Sequence, residues 1–184
     1  MLNNSTIILI RHAEKPVSGV RLSQEGKQRA AAYIAYFQHY VLDHRPIEWD
    51  YLIATADSAH SSRPRLTITP LAQALNIPLN TPYSDADYKS LANDLLTQPH
   101  YANRNILIAW HHSTLLDLAE ALGVKANKLA DAAKWPTVWP PDVFGWVLQI
   151  RFDEEGKVWA EQTKCFNQNL MFNDHGKNPP TATA

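Results

Sequence analysis

Four consecutive branched apolar residues, Ile7-Ile8-Leu9-Ile10, run straight into Arg11-His12-Ala13-Glu14-Lys15-Pro16. A run that short cannot span a membrane and reads as a fully buried strand. Arg11 and His12 then sit where that strand leaves the core, a place where a charge and an imidazole need a reason. The pattern returns in Ile106-Leu107-Ile108-Ala109-Trp110, which ends in His111-His112. Two buried strands that both end in charged or imidazole side chains constrain the chain to a sheet covered on both faces, with chemistry at one end of it.

The intervening segments supply the covers. Leu22-Ser23-Gln24-Glu25-Gly26 offers a capping serine and an early acid, and Ala30, Ile34, Phe37 and Val41 follow at helical spacing. Trp49 to Thr55 reads as another buried strand. The stretch from Pro64 to Leu75 reads as a helix that Pro70 bends or restarts. Residues 76–87, with Pro78 and Pro82, read as a loop holding at most one short strand, and Tyr88, Leu91, Leu95 and Leu96 mark a further helix. Leu115 to Leu122 is helical up to Gly123. Phe144 to Phe152 and Val158 to Lys164 read as two strands joined through Asp153-Glu154-Glu155-Gly156.

Strands alternating with helices predict an α/β fold. It is a three-layer sandwich with a mostly parallel central sheet, helices on both faces, and a C-terminal antiparallel hairpin or edge strand. At 184 residues one domain is expected, over 1–165, followed by a tail over 166–184 with little to bury and expected to fray. In such sheets ligands bind outside the carboxyl ends of the strands, where Arg11-His12 and His111-His112 fall.

Composition narrows the function. A net charge of −1 argues against a nucleic-acid partner, and no segment reaches transmembrane length, so no membrane partner is expected. The single cysteine, Cys165, allows neither an intramolecular disulfide nor a multi-cysteine metal cluster. The N-terminus lacks the features of an export signal, and a cytoplasmic, reducing location is expected. Adjacent histidines on an extended segment point to opposite sides, so His111 and His112 are not expected to share a metal ion, even with His60 nearby in sequence. No cofactor is expected.

Neutral imidazole can attack phosphorus, and a guanidinium beside it offers planar bidentate donors matched to phosphoryl oxygens. Arg63 lies at a strand-to-helix connection with Thr67 on the same helix face, and Arg65 is the more solvent-facing arginine of the pair. A cation at a helix N-terminus is unfavourable unless an anion binds nearby. Trp110, Trp135 and Trp139 either line a pocket or pack in the core, the commoner arrangement for tryptophan.

Four motifs, "LIRHAEKP", "LSQEGKQRA", "SSRPRLTITPLA" and "ILIAWHHSTLLDLAEALG", occur in this order between about Thr6 and Leu122. Together they resemble the histidine phosphatase superfamily, also called phosphoglycerate mutase-like, and its short branch 1 members in particular. Ala13 stands where the family has glycine. The resemblance implies that His12 is a nucleophile that becomes phosphohistidine, and that Arg11, Arg63 and a later histidine bind the phosphoryl oxygens. Counting from the strand selects His111 for that last place. The subgroup pattern Trp-Glu/His-His selects His112, the preferred assignment, with His111 left as a pocket residue.

The acidic segment of the mutases has no clear copy. Asp85 and Asp87 are acid candidates, with helix capping before Tyr88 as their alternative role. Glu14 and Lys15 are further acid or pocket candidates beside the nucleophile. The expected activity is that of a phosphohydrolase releasing phosphate from a small phosphomonoester, without a metal. The alternatives are a phosphate-ligand-binding or scaffolding protein on the same fold, and a phosphomutase. The substrate and the oligomeric state are left open by the sequence.

Overall fold

In the computed structural model, which describes residues 1–180, the elements run in the following order. They are β1 (Thr6–Arg11), α1 (Gln24–Gln38), β2 (Val41–Leu42), β3 (Arg45–Pro46), β4 (Tyr51–Ala54), α2 (Arg63–Leu75), β5 (Leu79–Asn80), α3 (Tyr88–Thr97), β6 (Asn105–Trp110), α4 (Leu115–Ala121), β7 (Trp146–Arg151) and β8 (Lys164–Asn167). The main sheet has the order β5-β4-β6-β1-β7-β8. Its first four strands are parallel to one another, and β7 and β8 complete it in antiparallel fashion. This is the expected α/β sandwich.

Side-chain alternation explains why both faces are covered. Ile7, Leu9, Ile53, Ile106 and Ile108 belong to one core with Leu91 and Leu95 of α3 and Leu115 and Leu118 of α4. Ile8, Ile10, Leu52, Ala54, Leu107 and Ala109 belong to the other, with Tyr33 and Phe37 of α1 and Ile68 and Leu71 of α2. Trp110, Trp135 and Trp139 are all buried in the first core. The parallel register aligns Arg11 with Trp110, so β1 and β6 end at the same level.

Several local expectations shift. Ser23 caps α1 by accepting the Gly26 N–H at 3.1 Å, but the buried face of that helix is Gly26, Arg29, Ala30, Tyr33 and Phe37. Ile34 is only half-buried and Val41 lies outside the helix, because the chain leaves it at His39 and pairs Val41 with Pro46. The turn between β2 and β3 is Asp43-His44, both with positive φ (50° and 63°), the conformation that joins two-residue hairpins. Helix α2 runs unbroken past Pro70.

The C-terminal region departs furthest. Asp153 to Gly156 does make a tight turn, with Gly156 N–H donating to the Asp153 carbonyl at 3.0 Å, but only Phe152 and Val158 bridge beyond it. The expected strand Val158–Lys164 is instead a connection, since a turn over Ala160 to Gln162 interrupts the alternation, and β8 starts at Lys164 so that Cys165 packs opposite Leu148. The boundary expected after residue 165 therefore falls inside β8. The segment beyond it is tied down as far as Lys177. Asp174 is 2% exposed and pairs with Arg29, while the Lys177 carbonyl accepts from Trp146 Nε1 at 2.5 Å. Polar ties hold this segment, the Asp174–Arg29 pair and amide hydrogen bonds from Asn167 and Gln168, with Leu170 packed against the second core, and such ties leave no hydrophobic pattern in the sequence. Residues 181–184, the end of that expected tail, lie outside the described residues. Among the described residues no helix is long and apolar enough to cross a membrane.

Candidate active site

The carboxyl ends of β1, β4 and β6 meet the start of α2 at one edge of the sheet. Arg11, the last residue of β1, is fully buried. Its Nη1 is held by three carbonyls, those of Pro140 (3.2 Å), Pro141 (2.9 Å) and Val143 (2.8 Å). The ring of Phe144 lies 3.9 Å from its guanidinium carbon. Among the described residues nothing accepts from its Nε or Nη2, so one complete bidentate edge is free. Burial lowers its pKa to about 10, which leaves it charged at neutral pH.

His12 continues the ladder by one residue, its N–H donating to the Trp110 carbonyl at 2.9 Å, and it is 2% exposed. Nδ1 lies 2.7 Å from the Ala13 carbonyl oxygen. A carbonyl can only accept, so the proton is on Nδ1 and the lone pair is on Nε2. Burial pushes the imidazole pKa down to about 2 despite that bond, helped by the charges of Arg11 and Arg63 and by His111. The ring is therefore neutral and oriented, as a nucleophile must be.

Arg63 opens α2. Its Nη1 donates to the Gly19 carbonyl at 3.1 Å, and its buried Nε has no partner among the described residues. Burial lowers its pKa, although the side chain is only partly buried. Thr67, one turn along, donates to the Arg63 carbonyl and accepts the Ala13 N–H, both at 2.8 Å. Arg65 points elsewhere and pairs with exposed Asp57 at 2.6 Å.

His111 and His112 lie just past β6. On an extended segment the two rings would point to opposite sides, and only one of them would face the site. Here the chain turns, with Thr114 N–H donating to the His111 carbonyl at 3.3 Å, so strict alternation no longer applies. The His111 ring packs edge-on against His12, with centroids 5.1 Å apart. His112 carries a buried Nδ1 without a partner among the described residues. Burial lowers the pKa of both, that of His112 to about 4, with Arg11 acting on each and Lys15 on His112. It is thus His111 whose ring touches the nucleophile, although the subgroup pattern favours His112.

The remaining candidates separate by environment. Asp85 accepts from the Thr114 hydroxyl and, at 3.2 Å, from Ser113, and its charge acts on both His111 and His112. Asp87 is exposed and accepts from Ser84 at 2.6 Å. Glu14 turns away from the nucleophile into a buried pair with Arg29 at 2.6 Å, while Lys15 is exposed. Phe144 and the 140–143 carbonyls that hold Arg11 had no sequence signal, since they belong to a proline-rich connection without periodicity.

Of seven buried side-chain polar atoms without a partner among the described residues, five are Arg11 Nε and Nη2, Thr55 Oγ1, Arg63 Nε and His112 Nδ1. All five belong to residues at the ends of β1, β4 and β6 or the start of α2. Buried polar groups are normally satisfied, and guanidinium N–H groups left over in one place favour an anion. Among the described residues no group of three or more His, Cys, Asp or Glu side chains is disposed to hold a metal ion.

No protein-family model matches the chain, and no curated protein matches it in sequence. Solved structures do match in fold. The protein histidine phosphatase SixA complexed with tungstate aligns at TM-score 0.50 and 15% identity, over 86% of this chain and 96% of that one. A SixA from Agrobacterium tumefaciens assigned as a phosphohistidine phosphatase aligns at TM-score 0.52 and 16% identity, over 85% and 96%. A mycobacterial glucosyl-3-phosphoglycerate phosphatase in complex with VO3 aligns at TM-score 0.50 and 12% identity, over 89% and 97%. The chain has the fold of the phosphoglycerate mutase-like histidine phosphatases.

Proposed function

We propose that this protein is a phosphohydrolase that releases phosphate from a small phosphomonoester through a covalent phosphohistidine at His12. The observation that carries the reading is a neutral imidazole with its lone pair on Nε2, beside one edge of a buried arginine and a second arginine nitrogen that have no partner among the described residues. Three anionic oxygens need such donors, and a phosphorus nucleophile needs such a lone pair. The phosphatase names of the structures similar in fold, and the tungstate and VO3 that two of them hold, support it.

In this mechanism Nε2 of His12 attacks phosphorus in line and the bond from phosphorus to the ester oxygen breaks. Arg11 and Arg63, with His111 or His112, offset the charge on the transferring oxygens. The leaving oxygen takes a proton from Asp85 in its carboxylic-acid form, the residue being held beside the two histidines by its contacts with Ser113 and Thr114. Water then attacks the phosphohistidine and loses a proton, which returns to Asp85. Phosphate departs and His12 is neutral again. The charge on the transferring oxygens is offset in this reading by nitrogen-bound hydrogens of the arginines and a histidine, with no step assigned to a metal. The buried lone Cys165 fits a reducing, cytoplasmic setting.

The test is phosphate release from p-nitrophenyl phosphate by the parent, with and without chelator, and by His12→Ala. The parent turns over at an unchanged rate in chelator, and the variant is inactive while keeping its circular dichroism. Parent-like turnover by His12→Ala would remove the nucleophile assignment. A parent that binds orthovanadate but releases no phosphate would favour a phosphate-binding protein on this fold.

A further inference from the structure

The segment after β8 reaches back to both chain stretches that frame His12. On one side, Asp174 forms a two-point pair with Arg29, at 2.7 and 3.0 Å, and Arg29 in turn holds both oxygens of Glu14. Glu14 is two residues past the nucleophile. Arg29 and Asp174 are fully buried, so this is a closed ion triad in which each member is committed to the others. On the other side, the Asp174 carboxylate lies against Gly145 so tightly that a Cβ there would fall 2.4 Å from Oδ1. Gly145 follows Phe144, whose ring lies over the Arg11 guanidinium and beside His12. Lys177 adds a second tie, donating to the Asp142 carbonyl at 2.9 Å and pairing with its carboxylate at 3.0 Å. Asp142 lies within the stretch whose carbonyls hold Arg11 Nη1.

We propose that Asp174 is a positioning residue for the oxyanion site, with Lys177 as its auxiliary tie. By bracing Glu14 through Arg29 and Gly145 by direct contact, it fixes the spacing between the His12 lone pair and the free edge of Arg11. The inference rests on the phosphohydrolase reading of this site. Asp174 touches neither the phosphoryl group nor His12. It acts because a reacting atom and its oxyanion donors come from strands and connections far apart in sequence, and displacements of about 1 Å between them cost as much as a hundredfold in rate.

The experiment compares the parent, Asp174→Asn and Lys177→Ala on p-nitrophenyl phosphate, with orthovanadate affinity read by calorimetry, all well below each melting temperature. Asp174→Asn is expected to lower kcat about tenfold or more with KM changed far less, and to weaken vanadate by a comparable factor. Lys177→Ala, a change at a half-buried side chain outside the triad, is expected to lower kcat and vanadate affinity about two- to threefold. A bracing role confined to stability would lower only the melting temperature, so parent-like kcat and vanadate affinity in folded Asp174→Asn would overturn the proposal. If Asp174→Asn does not fold, Lys177→Ala decides, and parent-like values for it overturn the proposal equally. A parent that neither turns over p-nitrophenyl phosphate nor binds vanadate would instead overturn the phosphohydrolase reading, which separates the two failures.

Discussion

The Thr67 hydroxyl accepts the Ala13 N–H at 2.8 Å and passes its own hydrogen to the Arg63 carbonyl, also at 2.8 Å. One side chain therefore couples the end of β1 to the first turn of α2, and so couples the nucleophile's strand to the second arginine. The helix is begun by Arg63 followed by Pro64, and an N-terminus that carries a cation is favourable only with an anion close by.

From this coupling, Arg11→Ala and Arg63→Ala are expected to lower kcat/KM by about two to three orders of magnitude each, the scale for removing one donor from a preorganised oxyanion site. Arg65→Ala removes only an exposed pair with Asp57 and is expected to leave kcat/KM within about twofold. Steady-state kinetics on p-nitrophenyl phosphate checks all three. An equal loss for Arg65→Ala would reassign the second arginine.

Asp85 is expected to matter in proportion to how poorly the leaving group departs. Asp85→Asn should lower the rate on an alkyl phosphate by about a hundredfold or more, and on p-nitrophenyl phosphate by much less, because a phenolate needs little help from an acid. Asp87→Asn, which alters only an exposed contact with Ser84, should change neither rate. A uniform loss across both leaving groups in Asp85→Asn would mean that the carboxylate positions the two histidines rather than donating a proton.

His111 and His112 divide by variant. His111 packs against the ring of His12, and His112 holds a buried nitrogen that has no partner among the described residues and lies within reach of the Arg11 charge. Replacing the one that donates to the phosphoryl group is expected to lower kcat by about a hundredfold and weaken vanadate equally, and replacing the other should act mainly through stability. The ring contact with the nucleophile selects His111→Ala for the larger effect. A larger loss in His112→Ala would restore the assignment from the Trp-His-His pattern.

The buried neutral imidazole makes stability depend on pH. His12 titrates at about 2 in the native protein against 6.5 when unfolded, chiefly through burial. As pH falls below 6.5 the unfolded chain takes up a proton that the native chain refuses. The unfolded state then binds more protons and stability decreases, by up to about 1.4 kcal/mol per pH unit. His112, held at about 4 by burial and by Arg11, adds a smaller loss in the same direction, reduced by its partial exposure. Urea unfolding at pH 7, 6 and 5 should show a falling midpoint in the parent and a shallower fall in His12→Gln. Identical slopes would mean that His12 is not held neutral by the fold.

The sequence by itself determined the sheet's buried strands, the helices between them and the residues at the strand ends. The reason is local. An apolar run such as Ile7 to Ile10 has no stable place outside a core, and Ser23 or the Arg63-Pro64 pair marks a helix start through its own backbone chemistry. Arg11, His12 and Arg63 were legible as candidates because charged and imidazole groups where a strand leaves the core or a helix begins stand out against that background. Only the tertiary structure decided what these groups do with their hydrogen bonds. Arg11 gives one end of its guanidinium to carbonyls 129 to 132 residues away, and among the described residues nothing accepts from the other. Arg29 draws Asp174, 145 residues distant, into the interior, and so converts a polar tail into part of the frame around His12. Glu14, two residues past the nucleophile in sequence, is drawn into that triad and away from the site. No periodicity or propensity encodes such contacts, because each depends on which distant backbone or charge the folded sheet brings within hydrogen-bonding distance.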